Sequence, residues 1–83
     1  MLESKSIMVK YFASLREKAK KNEELIETQA KTPSQLYSEL CNKYGFDLPL
    51  EDVKAAVNGD FEEMVYLLKN GDSLAFIPPM SGG

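Results

Sequence analysis

The chain ends in Pro78-Pro79-Met80-Ser81-Gly82-Gly83. With glycine at the last two positions, no side chain stands beside the α-carboxylate. Another protein can then draw the terminus into a narrow site and approach its backbone closely. The reacting group would be the Gly83 carboxylate, with Gly82 giving access to it. Proline has no N–H for a ladder and is restricted in φ, so Pro78-Pro79 ends a preceding strand and directs the chain outward. Residues 79–83 would reach about 17 Å, at roughly 3.3–3.6 Å per residue. Chain ends are commonly frayed, and a glycine pair alone says little. A rigid Pro-Pro between that pair and an apolar strand makes the ending read as a working arm.

Little else in the chain has the residue types for catalysis. Histidine is absent, which removes the commonest general base, the Ser-His and Cys-His dyads and most zinc sites. Cys41 is the single cysteine, so it makes no internal disulfide and no metal site by itself. It follows Leu40 on an apolar helix face, and a free cysteine there packs as a small hydrophobe. No metal ligand set is expected. An enzyme could still be built from carboxylates or lysines, but the usual tools are missing.

Composition bounds the partners. The 83 residues make one domain, and 43% apolar content is ordinary for a globular chain. The net charge is −3, with acidic pairs at Glu23/Glu24, Glu51/Asp52 and Glu62/Glu63. A net acidic domain is poorly suited to displacing counterions from phosphates, so no nucleic acid is expected. Arg16, Lys18, Lys20 and Lys21 form the one basic cluster and read as a solvated helix face. A basic partner protein suits the surface better, and Asp60, Glu62 and Glu63 are candidates to pair with it. No apolar run is long enough to span a bilayer, and residues 1–6 lack a signal-peptide apolar region. A cytoplasmic protein with no membrane association is expected.

The elements that must position the arm follow from periodicity. Residues 6–12 alternate, with Ile7, Val9 and Tyr11 on one face and Met8, Lys10 and Phe12 on the other, as in a strand. Helical spacing begins at Ala13, with Leu15 and Ala19 four apart, and charged residues continue to Lys21. Asn22, which tolerates a left-handed backbone, is the expected stop. A short strand follows over residues 24–28. Thr32-Pro33-Ser34-Gln35 is a strong helix start, with a capping threonine, proline at the first position and a glutamine able to reach back to the cap. Leu36, Leu40 and Tyr44 then recur every four residues until Gly45 supplies the left-handed stop. Residues 46–52 read as a loop broken by Pro49. Residues 55–57 form an apolar strand ending in the turn Asn58-Gly59. Residues 64–68 are a candidate strand, Asn70-Gly71-Asp72 a turn, and residues 73–77 the closing strand. On that last strand Leu74 and Phe76 share one face and Ala75 and Ile77 the other. One of Phe76 and Ile77 should be core, and the other should join Met80 in a docking surface beside the arm.

Strand, helix, strand, helix and then two or three strands do not alternate as a doubly wound sheet does. An α+β domain with a mixed sheet packed against helices fits better, and the ubiquitin-like β-grasp is its small representative. Residues 1–83 are one such domain, with 78–83 as its extended tail.

The ending from Asp72 to Gly83, the early Tyr11-Phe12-Ala13-Ser14-Leu15-Arg16-Glu17 and the later Ala56-Val57-Asn58-Gly59 resemble the small subunits of molybdopterin synthase. The resemblance covers nearly the whole chain, and Pro-Pro-x-Ser-Gly-Gly is its most specific part. Lys20 departs from it, because many relatives carry a glycine there that ends the first helix. The resemblance implies a sulfur carrier within a heterotetrameric synthase. An activating enzyme, using ATP and magnesium, would adenylate Gly83, and a sulfur donor would convert the adenylate to a thiocarboxylate. The arm, from Pro78 and Pro79 through Met80, Ser81 and Gly82, would enter the large synthase subunit and pass its sulfur to a cyclic pyranopterin phosphate. No cofactor would stay bound to the carrier. A thiamine-pathway carrier would share the chemistry but is typically shorter and lacks the Pro-Pro-x-Ser ending. A ubiquitin-like modifier would join Gly83 to lysines instead. A pure interaction module would need no free terminus.

Overall fold

In the computed structural model, residues 4–79 are described; residues 1–3 and 80–83 lie outside them. The first strand, β1 (Lys5–Tyr11), keeps the expected alternation: Ile7, Val9 and Tyr11 are buried, and Met8 and Lys10 lie on the other face. Helix α1 (Ala13–Ala19) buries Leu15 and Ala19. It stops at Lys20, whose φ of 63° is left-handed, and not at Asn22. The Asn22 carbonyl instead accepts the Tyr11 N–H at 2.9 Å, which leads the chain into β2 (Glu23–Thr28). Asn22 is not among the residues with positive φ, and the reversal falls two residues earlier, on a lysine.

Helix α2 spans Pro33–Tyr44 and has the expected ends. The Thr32 hydroxyl accepts the Gln35 N–H at 3.2 Å, and Gly45 closes the helix at φ 74° with its N–H on the Cys41 carbonyl. The Gln35 side chain reaches one residue further than expected, accepting the Lys31 N–H at 2.8 Å. After α2, Phe46 turns into the core and a single 3-10 turn occupies Leu50–Asp52 within the expected loop.

The remaining strands are β3 (Lys54–Val57), β4 (Asp60–Glu62) and β5 (Ser73–Ile77). Asn58 and Gly59, at φ 53° and 93°, make the two-residue turn between β3 and β4. Asn58 also accepts the Ser73 N–H at 2.9 Å and donates to the carboxylate of buried Asp72 at 2.9 Å. The turn is thereby locked to the start of β5. The candidate strand over residues 64–68 is not a strand. Its backbone bonds the start of α2 instead, with Ser34 N–H on the Met64 carbonyl and Leu68 N–H on the Lys31 carbonyl. Its pairing capacity is spent on the helix, and the fourth strand is the three charged and aromatic residues before it.

The sheet order is β2-β1-β5-β3-β4. β1 and β5 are parallel, and every other neighbouring pair is antiparallel. Ile7, Val9, Tyr11, Ala55, Val57, Leu74 and Phe76 point from the sheet into one core, which Leu15 and Ala19 of α1 and Leu36, Tyr37 and Leu40 of α2 complete. This is a mixed sheet covered by helices on one face. The opposite face is open.

Candidate functional site

β5 lies in the middle of the sheet, between β1 and β3, so the arm leaves from a strand braced on both sides. The braces reach its last residues: Phe76 pairs with Tyr11 on one side and Ala55 on the other, and Ile77 pairs with Lys54. Phe76 has 0% exposure and stacks near Tyr37, with ring centroids 5.4 Å apart. It belongs wholly to the core, so a docking role for Phe76 is corrected. Ile77, half-buried, faces the open side. The alternation runs one residue past the strand, leaving Pro78 buried and Pro79 exposed. Pro78 is thus seated on the body, and Pro79 is the first exposed residue after β5. Met80, Ser81, Gly82 and Gly83 lie outside the described residues.

Register places more apolar surface around Ile77. Phe12 follows Tyr11 with extended φ and ψ, so its side chain continues the outward series of β1; it is 44% exposed. Phe61 pairs with Ala56, which in turn pairs with Ala75. These three residues form a row across the open face, and Phe61 stands 71% exposed at its edge. Lys10 and Lys54 flank the apolar strip. Phe12 was visible in the alternation of β1, whereas Phe61 was hidden between acidic residues in a strand too short to show a period.

The polar groups near this end of the sheet serve the fold. The Glu24 carboxylate accepts from Tyr11 Oη at 2.6 Å, Tyr44 Oη at 2.5 Å and Lys21 Nζ at 3.2 Å. Partial burial alone would raise this carboxyl, but hydrogen bonds from both tyrosines and the lysine outweigh burial and hold it below its ordinary value. Burial, reinforced by the hydrogen bond to Glu24, pushes the Tyr11 phenol up. With its carboxylate engaged by three donors, the cluster joins β1, β2 and α2. Cys41 is half-buried against the core, as its place after Leu40 suggested. Among the described residues, no group of three or more His, Cys, Asp or Glu side chains is placed to hold a metal. Among them also, no helix is long and apolar enough to cross a membrane.

What the described residues provide is a central strand braced on both sides, leading to the C-terminal segment beside an exposed apolar strip. Comparison with known proteins agrees with that description. The molybdopterin synthase sulfur carrier subunit of Drosophila melanogaster is 32% identical over 82 residues, covering 94% of this chain and 91% of its own. A putative molybdopterin converting factor subunit 1 from Pyrococcus furiosus superposes with a TM-score of 0.75 at 31% identity, covering 93% of this chain and 100% of that one. The small archaeal modifier protein 1 of Methanosarcina acetivorans shares the fold, with a TM-score of 0.76 at 24% identity over 98% of this chain and 99% of that one. These neighbours identify the architecture as the ubiquitin-like β-grasp of sulfur carriers. Residues 9–83 match the ThiS family, and the chain belongs to that family of small sulfur carriers.

Proposed function

We propose that this chain is the sulfur-carrying small subunit of a molybdopterin synthase. The observation that carries the reading is the ending Pro78-Pro79-Met80-Ser81-Gly82-Gly83, set directly after the central strand of a sulfur-carrier fold. A carboxylate is a poor acyl donor because it has no good leaving group. An activating enzyme using ATP and magnesium joins the Gly83 carboxylate to AMP and releases pyrophosphate. A sulfur donor enzyme then supplies sulfur at the acyl carbon, AMP departs, and Gly83 becomes a thiocarboxylate. The arm enters the large synthase subunit, and the thiocarboxylate sulfur bonds to a carbon of a cyclic pyranopterin phosphate. Water then cleaves the bond from that sulfur to the Gly83 acyl carbon, returning Gly83 to a carboxylate. Two such deliveries build the dithiolene.

In this scheme the chain's own residues bind and position. Pro78, seated on the body, fixes where the arm starts, and Pro79 fixes its direction. Gly82 lets the partner close around the backbone. Ile77, with Phe12 and Phe61 on the same face, supplies the apolar anchors that hold the partner, since buried apolar anchors dominate interface energetics. Met80 extends that surface along the arm.

Intact mass tests the reading. After incubation with ATP, the activating enzyme and a sulfur source, the mass should rise by the difference between one sulfur and one oxygen, and the gain should map to Gly83. An unchanged mass under conditions that load a known carrier would reject it. Recovery of Gly83 in isopeptide linkage to lysines of other proteins would favour a protein modifier. Sulfur loading without product formation by the large synthase subunit would favour a carrier for another pathway, such as thiamine synthesis.

A further inference from the structure

A groove of about 610 Å³ opens between the 3-10 turn Leu50–Asp52 and β4, on the far side of β3 from the arm's strand. Val53 and Ala55 form its buried floor, and half-buried Met64 and partly exposed Leu50 form its apolar walls. Its rim is acidic: Glu51, Glu62 and Glu63 are all exposed there, against the single cation of Lys54. Among the described residues, none of the three carboxylates stands within ion-pair distance of a lysine or arginine; the ion pairs present are Lys18–Asp47 and Lys21–Glu24. Lys54 pairs with Ile77, and Ala55 lies between Phe76 and Glu62. Through Lys54 the groove lies one strand away from Ile77, the last residue of β5. β4 is the last strand of the sheet, with no strand beyond it.

We propose that this groove receives a basic, extended segment of the protein that acts on the arm. An extended segment suits it because a strand edge offers unpaired backbone groups, and alternate side chains of an added strand point to one face. Apolar residues of that segment would cover Val53, Ala55 and Met64, and lysine or arginine residues between them would meet the three carboxylates. An acidic segment would bring like charges together, and a purely apolar one would leave the rim unpaired. Because Lys54 both lines the groove and pairs with Ile77, a partner that engages the arm comes within one strand of it. Its charge would speed encounter and orient the partner before the arm is engaged. The inference rests on the proposed carrier function, since it assumes a protein that handles the arm.

The test uses the full chain, labelled with 15N, titrated with an alternating lysine–leucine hexapeptide. Amide shifts should concentrate at residues 50–55 and 61–64, and apparent affinity should fall at least about tenfold between about 0.05 and about 0.5 M salt. An alternating glutamate–leucine peptide and an alternating lysine–serine peptide should each leave those amides unmoved. Glu62→Lys combined with Glu63→Lys should abolish the response while preserving the fold, since both side chains are exposed. The same variant should be loaded with sulfur at a reduced kcat/KM by the activating enzyme. Shifts confined to the open face around Phe12, equal binding of the serine peptide, or indifference to the charge reversal would each overturn the proposal. A wild-type chain that binds the peptide in this groove but never gains sulfur would overturn the carrier reading and leave the basic-segment site standing.

Discussion

Glu24 and the two residues that end β5 are where single side chains matter most. The hydrogen bonds from Tyr11, Tyr44 and Lys21 lower the Glu24 pKa in the folded state. A depressed carboxylate contributes stability above its unfolded pKa, and that contribution disappears as pH falls through the folded value. Glu24→Gln should therefore lose about 1–3 kcal/mol near neutrality, the usual scale for hydrogen bonds to a charged group. Its deficit against the parent chain should shrink as pH drops below the ordinary carboxylate range. Thermal melts of both chains from neutral pH downward would check this, and a constant gap would refute it. Neighbouring Phe76 and Ile77 should separate cleanly. Phe76→Ala removes a ring with 0% exposure and should cost about 3–5 kcal/mol. Ile77→Asp, on the open face, should cost much less stability yet weaken binding to the large synthase subunit severely. Calorimetric titration beside a melting curve distinguishes the two, and equal losses of stability would remove Ile77 from the docking face.

At the scale of elements, α1 ends on a residue type that its backbone conformation does not favour. Lys20 occupies a left-handed backbone, φ 63°, while its N–H bonds the Arg16 carbonyl at 2.8 Å. A side chain with a Cβ pays for that conformation, and glycine does not. Lys20→Gly should stabilise the fold by on the order of 1 kcal/mol, after the extra unfolded-state freedom of glycine is included. For a domain of this size that corresponds to a rise in Tm of about 4–8 °C. Unchanged or lower Tm would mean that the lysine side chain stabilises the helix end by more than its backbone costs. Helix α2 needs no such correction, because Thr32, Pro33 and Gly45 each match the geometry of their positions.

For the molecule as a whole, body and arm should be separable. Among the described residues, the core, the sheet, the helices and the Asn58–Asp72 lock use none beyond Pro78. Deleting Gly82 and Gly83 should leave Tm nearly unchanged, while sulfur transfer disappears. A large fall in Tm would show the arm packed against the body and reject the division of labour. Gly82→Val should likewise keep the fold and bind the large subunit with similar affinity, yet fail at adenylation or delivery. A branched side chain there crowds the reacting carbonyl and restricts the backbone. Full turnover by the valine variant would mean that the arm enters no narrow site.

Local signals in the sequence determined the parts whose physics is local. The ends of α2 follow from a threonine cap, a proline and a glycine within one stretch of chain. The Asn58-Gly59 turn follows from two residues that accept positive φ, and the faces of β1 and β5 follow from period-two alternation. The ending of the chain, with its glycines behind a proline pair, was legible from residue types alone, and the described residues stop at Pro79. Tertiary structure decided whatever depends on which strands meet. Either Phe76 or Ile77 could have been the core residue until helices covered one face of the sheet. The segment 64–68 has strand composition, but its backbone found partners on α2 first, leaving Asp60–Glu62 as the edge. Lys20 took the left-handed position, and the Tyr11–Asn22 bond set the entry into β2. Phe61 joined the open face, and the acidic groove formed beside it, only through pairing with β3. Such pairings join residues far apart in the chain, so no window of sequence contains them. Only the assembled sheet sets the root of the arm beside the open apolar face and within one strand of the acidic groove.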